Sequence, residues 1–144
     1  MNNQEIEQLL KKTIQKNTIL HSYMFLGSKL TGKEKLAIQF AKEILCFNKE
    51  NAPCEKCKSC VEINNENHPD FREIQLEDGE NTVKIEQIRK LQNDVIKKPI
   101  ISERKVYIIK DSDKMTVRST KLLTKNFRRS TRIYNYNFIS RKRK

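Results

Sequence analysis

Apolar residues fall three or four apart near the start of the chain. Ile6, Leu9, Leu10, Thr13 and Ile14 define a helical period within residues 5–14, which predicts an amphipathic helix. Residues 21–27, HSYMFLG, are a short apolar run closed by glycine and are consistent with a buried strand. A second helical period covers residues 32–46, with Leu36, Ile38, Phe40, Ala41, Ile44 and Leu45 as candidate core positions. The chain then becomes rich in Cys, Lys, Asn and Pro, and a loop is expected through Cys60. Residues 71–76 suggest a second strand and Gly79 a turn. Ile85, Ile88, Leu91, Val95 and Ile96 mark another amphipathic helix, stopped by Pro99. Residues 105–110, KVYIIK, are the most β-branched and aromatic run in the chain and predict the third strand. Strands alternating with helices imply an α/β fold, a parallel sheet with helices on its faces.

A length of 144 residues suits one domain, and 36% hydrophobic residues with no Trp imply a modest core. No apolar run approaches the roughly 18 residues of a membrane span. The opening MNNQEIEQLLKK lacks the apolar stretch of a secretory signal. A cytoplasmic protein without a membrane partner is expected. The net charge of +12 is unevenly spread: residues 118–144 carry ten Lys/Arg and no acid, leaving residues 1–117 with a net of only +2. A small basic nucleic-acid-binding protein is therefore a reading of the tail alone, through Arg128, Arg129, Arg132 and the terminal Arg141-Lys142-Arg143-Lys144.

The join between the first strand and its helix reads Gly27-Ser28-Lys29-Leu30-Thr31-Gly32-Lys33-Glu34. It matches the G-x-x-x-x-G-K phosphate loop, in which backbone N–H groups and a helix N-terminus cradle phosphates while the lysine neutralises them. Gly27, Thr31, Gly32, Lys33 and Glu34 are the candidate nucleotide-binding residues. Glu34 stands where a Mg²⁺-binding hydroxyl belongs and should repel phosphate. A working P-loop ATPase also ends its third strand with a metal-binding acid. Here that place falls to Lys110, followed by Asp111 and Asp113. Both departures point to a degenerate ATP·Mg²⁺ site without hydrolysis. A plain glycine-rich turn that binds nothing, and an active ATPase, are the alternatives.

Cys46, Cys54, Cys57 and Cys60 give C-x₇-C-x₂-C-x₂-C. Four thiolates satisfy a closed tetrahedral Zn²⁺ site, and the two-residue gaps suit a tight knuckle. In a cytosolic protein, metal ligation is favoured over disulfides. Reduced thiols or a redox pair are the alternatives. His68 is a possible fifth ligand or a turn or strand-entry residue, and His21 is read as a packing or hydrogen-bonding residue in preference to a general base.

Taken in order, HSYMFLG, the G-x₄-G-K turn, a helix ending in Cys46, the cysteine knuckle, HPDF, IEQIRKLQ and KVYIIKDSDKMT resemble the clamp-loader subunits of bacterial DNA polymerase III. The similarity spans roughly residues 2–117. It implies an AAA+ (RecA-like) module with a zinc knuckle inserted after the first sheet-flanking helix. It also implies a role in DNA replication, loading the sliding clamp onto primed DNA together with gamma/tau and delta partners. Gamma/tau members keep a Ser/Thr after the loop lysine and an Asp–Glu pair after the third strand. Glu34 and Lys110 depart from both, so the resemblance lies with the largely non-hydrolysing delta-prime kind, a subunit of a polymerase holoenzyme and not a catalyst by itself.

After Val117 the resemblance stops. Permitted codons for RSTKLLTKNFRRSTRIY, read one base further along, encode EAQNCLLKTLEDPPEY, which resembles the helix the family carries there. Residues 118–144 are accordingly expected to be a tail in a shifted frame, either poorly ordered or pairing opportunistically through residues 133–139. A truncated fold follows, with a gap between the first and third strands, incompetent for clamp loading alone. Residues 1–117 would form the partial AAA+ unit, with residues 46–60 as its knuckle.

Overall fold

Helix α1 (Asn3–Gln15) starts at a reciprocal cap: the Asn2 side chain accepts from the Glu5 N–H at 2.9 Å, and the Glu5 carboxylate accepts from the Asn2 N–H at 3.0 Å. These bonds satisfy donors that a helix start leaves orphaned. Strand β1 (Ser22–Gly27), a 3₁₀ turn (Lys29–Thr31) and helix α2 (Lys33–Leu45) follow. Helix α3 (Lys58–Asn64), strand β2 (Phe71–Ile74), helix α4 (Ile85–Val95), strand β3 (Val106–Ile109) and strand β4 (Asn135–Arg141) complete the order. The computed structural model describes residues 2–20, 22–111, 114–119, 121–122 and 135–141.

Among the described residues the sheet has four strands in the order β1-β4-β3-β2, all parallel. Period-two alternation along β3 builds a core on each face. Val106 and Ile108 join Leu10 of α1, Leu36, Phe40 and Ile44 of α2, and Ile63 of α3. Tyr107 and Ile109 instead meet Ile88, Leu91 and Val95 of α4. Tyr23 stacks edge-on against Phe40, with centroids 5.0 Å apart and planes at 87°. Each fully buried side chain of this size contributes roughly 1.5–3 kcal/mol.

The predicted core positions of α2 are buried except Ile38, which is partly buried, and Ala37 is buried as well. In α1 the apolar face is narrower: Leu10 is buried, while Leu9 stays exposed. The second strand ends at Ile74, short of Leu76, and Ile96 lies outside α4 as its exposed C-cap.

Two expectations are corrected. The cysteine segment is not loop throughout, because α3 begins at Lys58, inside the knuckle. The gap between the first and third strands does not exist, because β4 fills it: Ser22 pairs with Tyr136 on one side and Val106 with Asn135 on the other. Pairing on both sides gives this segment the backbone partners that its polar sequence does not advertise. No helix of the described residues is long and apolar enough to cross a membrane.

Candidate metal centre and phosphate turn

The two motif-bearing loops lie at opposite ends of α2. Cys46 is its C-cap, with an extended backbone (φ −60°, ψ 135°) that turns the chain away while the Cys46 N–H bonds to Lys42 O. Cys54 and Cys57 follow on the loop, and Cys57 caps α3 by accepting the Cys60 N–H on its sulfur at 3.4 Å. The Cys54 sulfur accepts N–H groups from Cys57 at 3.2 Å and Lys56 at 3.5 Å, and the Cys46 sulfur accepts from Cys54 at 3.5 Å. Amides aimed at sulfur stabilise thiolates. The C-x₂-C spacing thus does two jobs, placing the sulfurs and supplying them with donors.

All four Sγ atoms lie within 4.8 Å of one another, and Cys46 Sγ is 3.9 Å from Cys57 Sγ. Metal–sulfur bonds of about 2.3 Å in a tetrahedron require sulfur–sulfur edges of about 3.8 Å. The cluster fits, and the four cysteines are positioned to hold a metal ion. Burial raises the Cys46 thiol and pushes the Cys60 thiol up to about 12. Burial also opposes ionisation of Cys57, but the N–H groups of Cys60 and Phe47 and the neighbouring thiols outweigh it and lower it to about 6. The N–H groups of Lys56 and Cys57 lower half-buried Cys54. A cation at the centre would supply the charge that two buried thiolates need.

His68 is not in that cluster. It is buried, and its Nδ1 accepts the Asp70 N–H at 3.0 Å. The ring proton of the neutral imidazole is thereby assigned to Nε2, which faces Ser59 Oγ at 2.9 Å. Burial lowers its pKa, against the pull of Asp70 and Glu62. Its role is therefore strand entry. The neighbouring Asp70 carboxylate accepts the N–H groups of Ile100, Ile101 and Ser102 at 2.7–2.8 Å. Neither this function of Asp70 nor the involvement of Ser59 follows from the motifs of the sequence, although an Asp directly before a strand is a usable signal for backbone capping.

At the other end of α2, Gly27 closes β1 and Gly32, at φ +73°, reverses the chain into the helix. A side chain at Gly27 would put its Cβ 2.7 Å from Thr31 Oγ1. The Thr31 hydroxyl donates to Ser28 O at 2.8 Å, Asn3 Nδ2 donates to Thr31 O at 2.6 Å, and the Lys33 ammonium donates to Gly27 O at 2.7 Å. Lys33 is buried against its own turn, whereas Glu34 is exposed in the first turn of α2.

At the same C-terminal edge of the sheet, Lys110 pairs with Glu73 at 2.7 Å and donates its N–H to Ile74 O at 2.8 Å. Asp111 turns the chain at φ +51°. Asp113 and His21 fall outside the described residues, as do Arg128, Arg129, Arg132, Lys142, Arg143 and Lys144.

A family model described as "DNA polymerase III, delta subunit" matches residues 2–128, continuing past residue 117, where the resemblance stops in the sequence. The chain is 38% identical over 120 residues to DNA polymerase III subunit delta' of Bacillus subtilis (strain 168), an alignment covering 83% of this chain and 36% of that protein. It is 32% identical over 117 residues to subunit tau/gamma of Haemophilus influenzae, covering 81% of this chain and 17% of that protein. The chain thus spans about a third or less of these relatives. Among solved structures, a gamma subunit-related protein of Thermotoga maritima superposes with a TM-score of 0.66 at 17% identity, covering 94% of this chain and 39% of that one.

Proposed function

The chain belongs to the DNA polymerase III delta subunit family, and from that membership we propose that it serves DNA replication as a delta-prime-like clamp-loader subunit. Its partners are loader subunits of the gamma/tau and delta kinds and, through them, the sliding clamp and primed DNA in the cytoplasm. It acts as a subunit of the holoenzyme and not as a catalyst.

The observation that carries this reading is the ion pair between Lys110 and Glu73 at 2.7 Å. A hydrolysing P-loop site needs a metal-binding acid at the end of that strand, and a lysine already paired to a carboxylate opposes a cation there. Gly27, Thr31, Gly32 and Lys33 form a nucleotide-type turn, Glu34 opposes phosphate, and Lys110, Asp111 and Asp113 stand in for the second acidic motif. The second reading, an active ATPase of gamma/tau kind, draws on the intact G-x₄-G-K and on the tau/gamma relatives. Mg²⁺-dependent ATP turnover separates them. None above background is expected; turnover that Lys33→Ala abolishes would establish the second reading instead.

At the other end of α2, Cys46, Cys54, Cys57 and Cys60 hold Zn²⁺ in this reading. Four soft thiolates suit zinc better than Mg²⁺ or Ca²⁺. Bound there, the ion supplies folding free energy and, with every ligand position filled by protein, no site for substrate. Metal analysis of the purified protein should give about one equivalent of zinc, and less than about half would count against the site. We assign residues 1–117 to the AAA+-type unit, residues 46–60 to its knuckle and residues 118–144 to a basic tail in a shifted frame, whose β4 pairs into the sheet of that unit. A frame-continuous gene through codon 117 would reject the shift.

A further inference from the structure

We propose that His68 is a positioning residue that ties the metal knuckle to the loop entering β3, so that metal binding at the four cysteines is felt at residues 100–102. The inference rests on the metal reading above. The connection is a buried polar chain. Ser59 is fully buried and sits between Cys57 and Cys60 in the first turn of α3, so the turn that places two sulfurs also places its hydroxyl. His68 Nε2 lies 2.9 Å from Ser59 Oγ and 3.4 Å from Ser102 Oγ. His68 Nδ1 takes the Asp70 N–H at 3.0 Å, which fixes the residue whose carboxylate holds the N–H groups of Ile100, Ile101 and Ser102. Asp70 O accepts the Val106 N–H at 2.8 Å, at the start of the β2–β3 ladder.

Helix α3 has seven residues, too few to hold its shape on propensity alone. The metal organises its first turn. When that turn frays, Ser59 leaves and the buried imidazole N–H loses its nearest partner, a state that burial penalises. His68 then shifts, and the carboxylate grip on the loop loosens. Ile101 and Ser102 line a cleft of about 760 Å³ together with Ile14, Ile44, Cys46 and Phe47. Metal occupancy therefore sets the shape of a surface at the end of α2 opposite the phosphate turn.

Hydrogen–deuterium exchange of the full chain, with zinc and after chelation, tests this. In the wild type, chelation should speed exchange at residues 100–102 roughly tenfold or more, the protection of about one hydrogen bond, while α4 changes less than about twofold. In Ser59→Ala, with zinc stoichiometry still near one, the loop should exchange alike with and without zinc. His68→Gln should behave in the same way and guards against a Ser59 variant that fails to fold. An unchanged wild-type loop despite bound zinc would overturn the linkage and leave the metal reading standing. Equal acceleration in α4 would show global unfolding and overturn it too. If zinc never binds, the metal reading fails first and takes the linkage with it, a result read directly from the stoichiometry.

Discussion

The two ends of α2 carry the two ligand motifs of the chain, and they are organised in opposite ways. At the C-terminal end, four sulfurs converge within 4.8 Å and take backbone N–H groups as partners. At the N-terminal end, the side chains turn back on the turn itself: Lys33 bonds to Gly27, Thr31 to Ser28, and Asn3 to Thr31. The difference is one of range. A C-x₂-C knuckle is specified by residues two or three apart, so local geometry is enough. A hydrolysing phosphate site needs a second group brought from another strand, and at the end of β3 that group is Lys110 paired to Glu73.

The comparison is broken most severely at the cysteines. Cys60→Ser, or chelation, should remove bound zinc and cost several kcal/mol, a share of the roughly 10–16 kcal/mol that structural zinc sites provide. Thermal melting followed alongside metal content checks this, and an unshifted melting point would remove the knuckle from the stability of the fold. Next, Asp70→Ala strands three amides that now bond to its carboxylate. A loss of about 3–5 kcal/mol in urea unfolding is expected, at roughly 1–3 kcal/mol per unsatisfied group after partial relaxation.

At the other end of α2, Glu34→Thr with Lys110→Asp returns a hydroxyl and an acid to their working places. Mg²⁺-nucleotide binding measured by calorimetry should tighten about tenfold, or about 1.4 kcal/mol. No gain would identify the turn as a plain strand–helix connection.

The smallest effect concerns pH. His68 is held below its ordinary value of 6.5, chiefly by burial, so the unfolded chain takes up the proton more readily than the native one. Its contribution is complete above about 6.5 and is lost as the pH falls below that, by at most about 1.4 kcal/mol per pH unit. Urea midpoints between neutral and mildly acidic pH should show the slope, and His68→Gln should flatten it.

Helices α1, α2 and α4 and three of the strands were legible because their apolar residues keep a regular period: Leu36, Phe40 and Ile44 are buried on α2, and Val106 and Ile108 on β3; α3, seven residues inside the cysteine segment, was not. The cysteine cluster was legible for the same local reason. Strand β4 was legible only in part: residues 133–139 offered a segment able to pair, but NYNFISR has no long apolar run, and its partners β1 and β3 are visible only in three dimensions. Buried charge was hidden as well. Lys105 looks like an exposed strand edge, yet it is buried with its ammonium on Asp94 O at 2.7 Å, while the Tyr107 hydroxyl donates to the Asp94 carboxylate. Short-range signals reveal elements, but they do not show which distant carbonyl receives a lysine.

The strand order has a kinetic consequence. Among the described residues β1 joins the sheet only through β4, a segment more than a hundred positions downstream. The β2–β3 pair can zip early, but β1 must wait for the most remote stretch of polypeptide to arrive. Closing so long a loop is slow, and until it happens both waiting strands present open edges to other chains. On a ribosome, this layer can be completed only after Arg141 has left the exit tunnel, so the nascent chain is most at risk of misassociation during that interval.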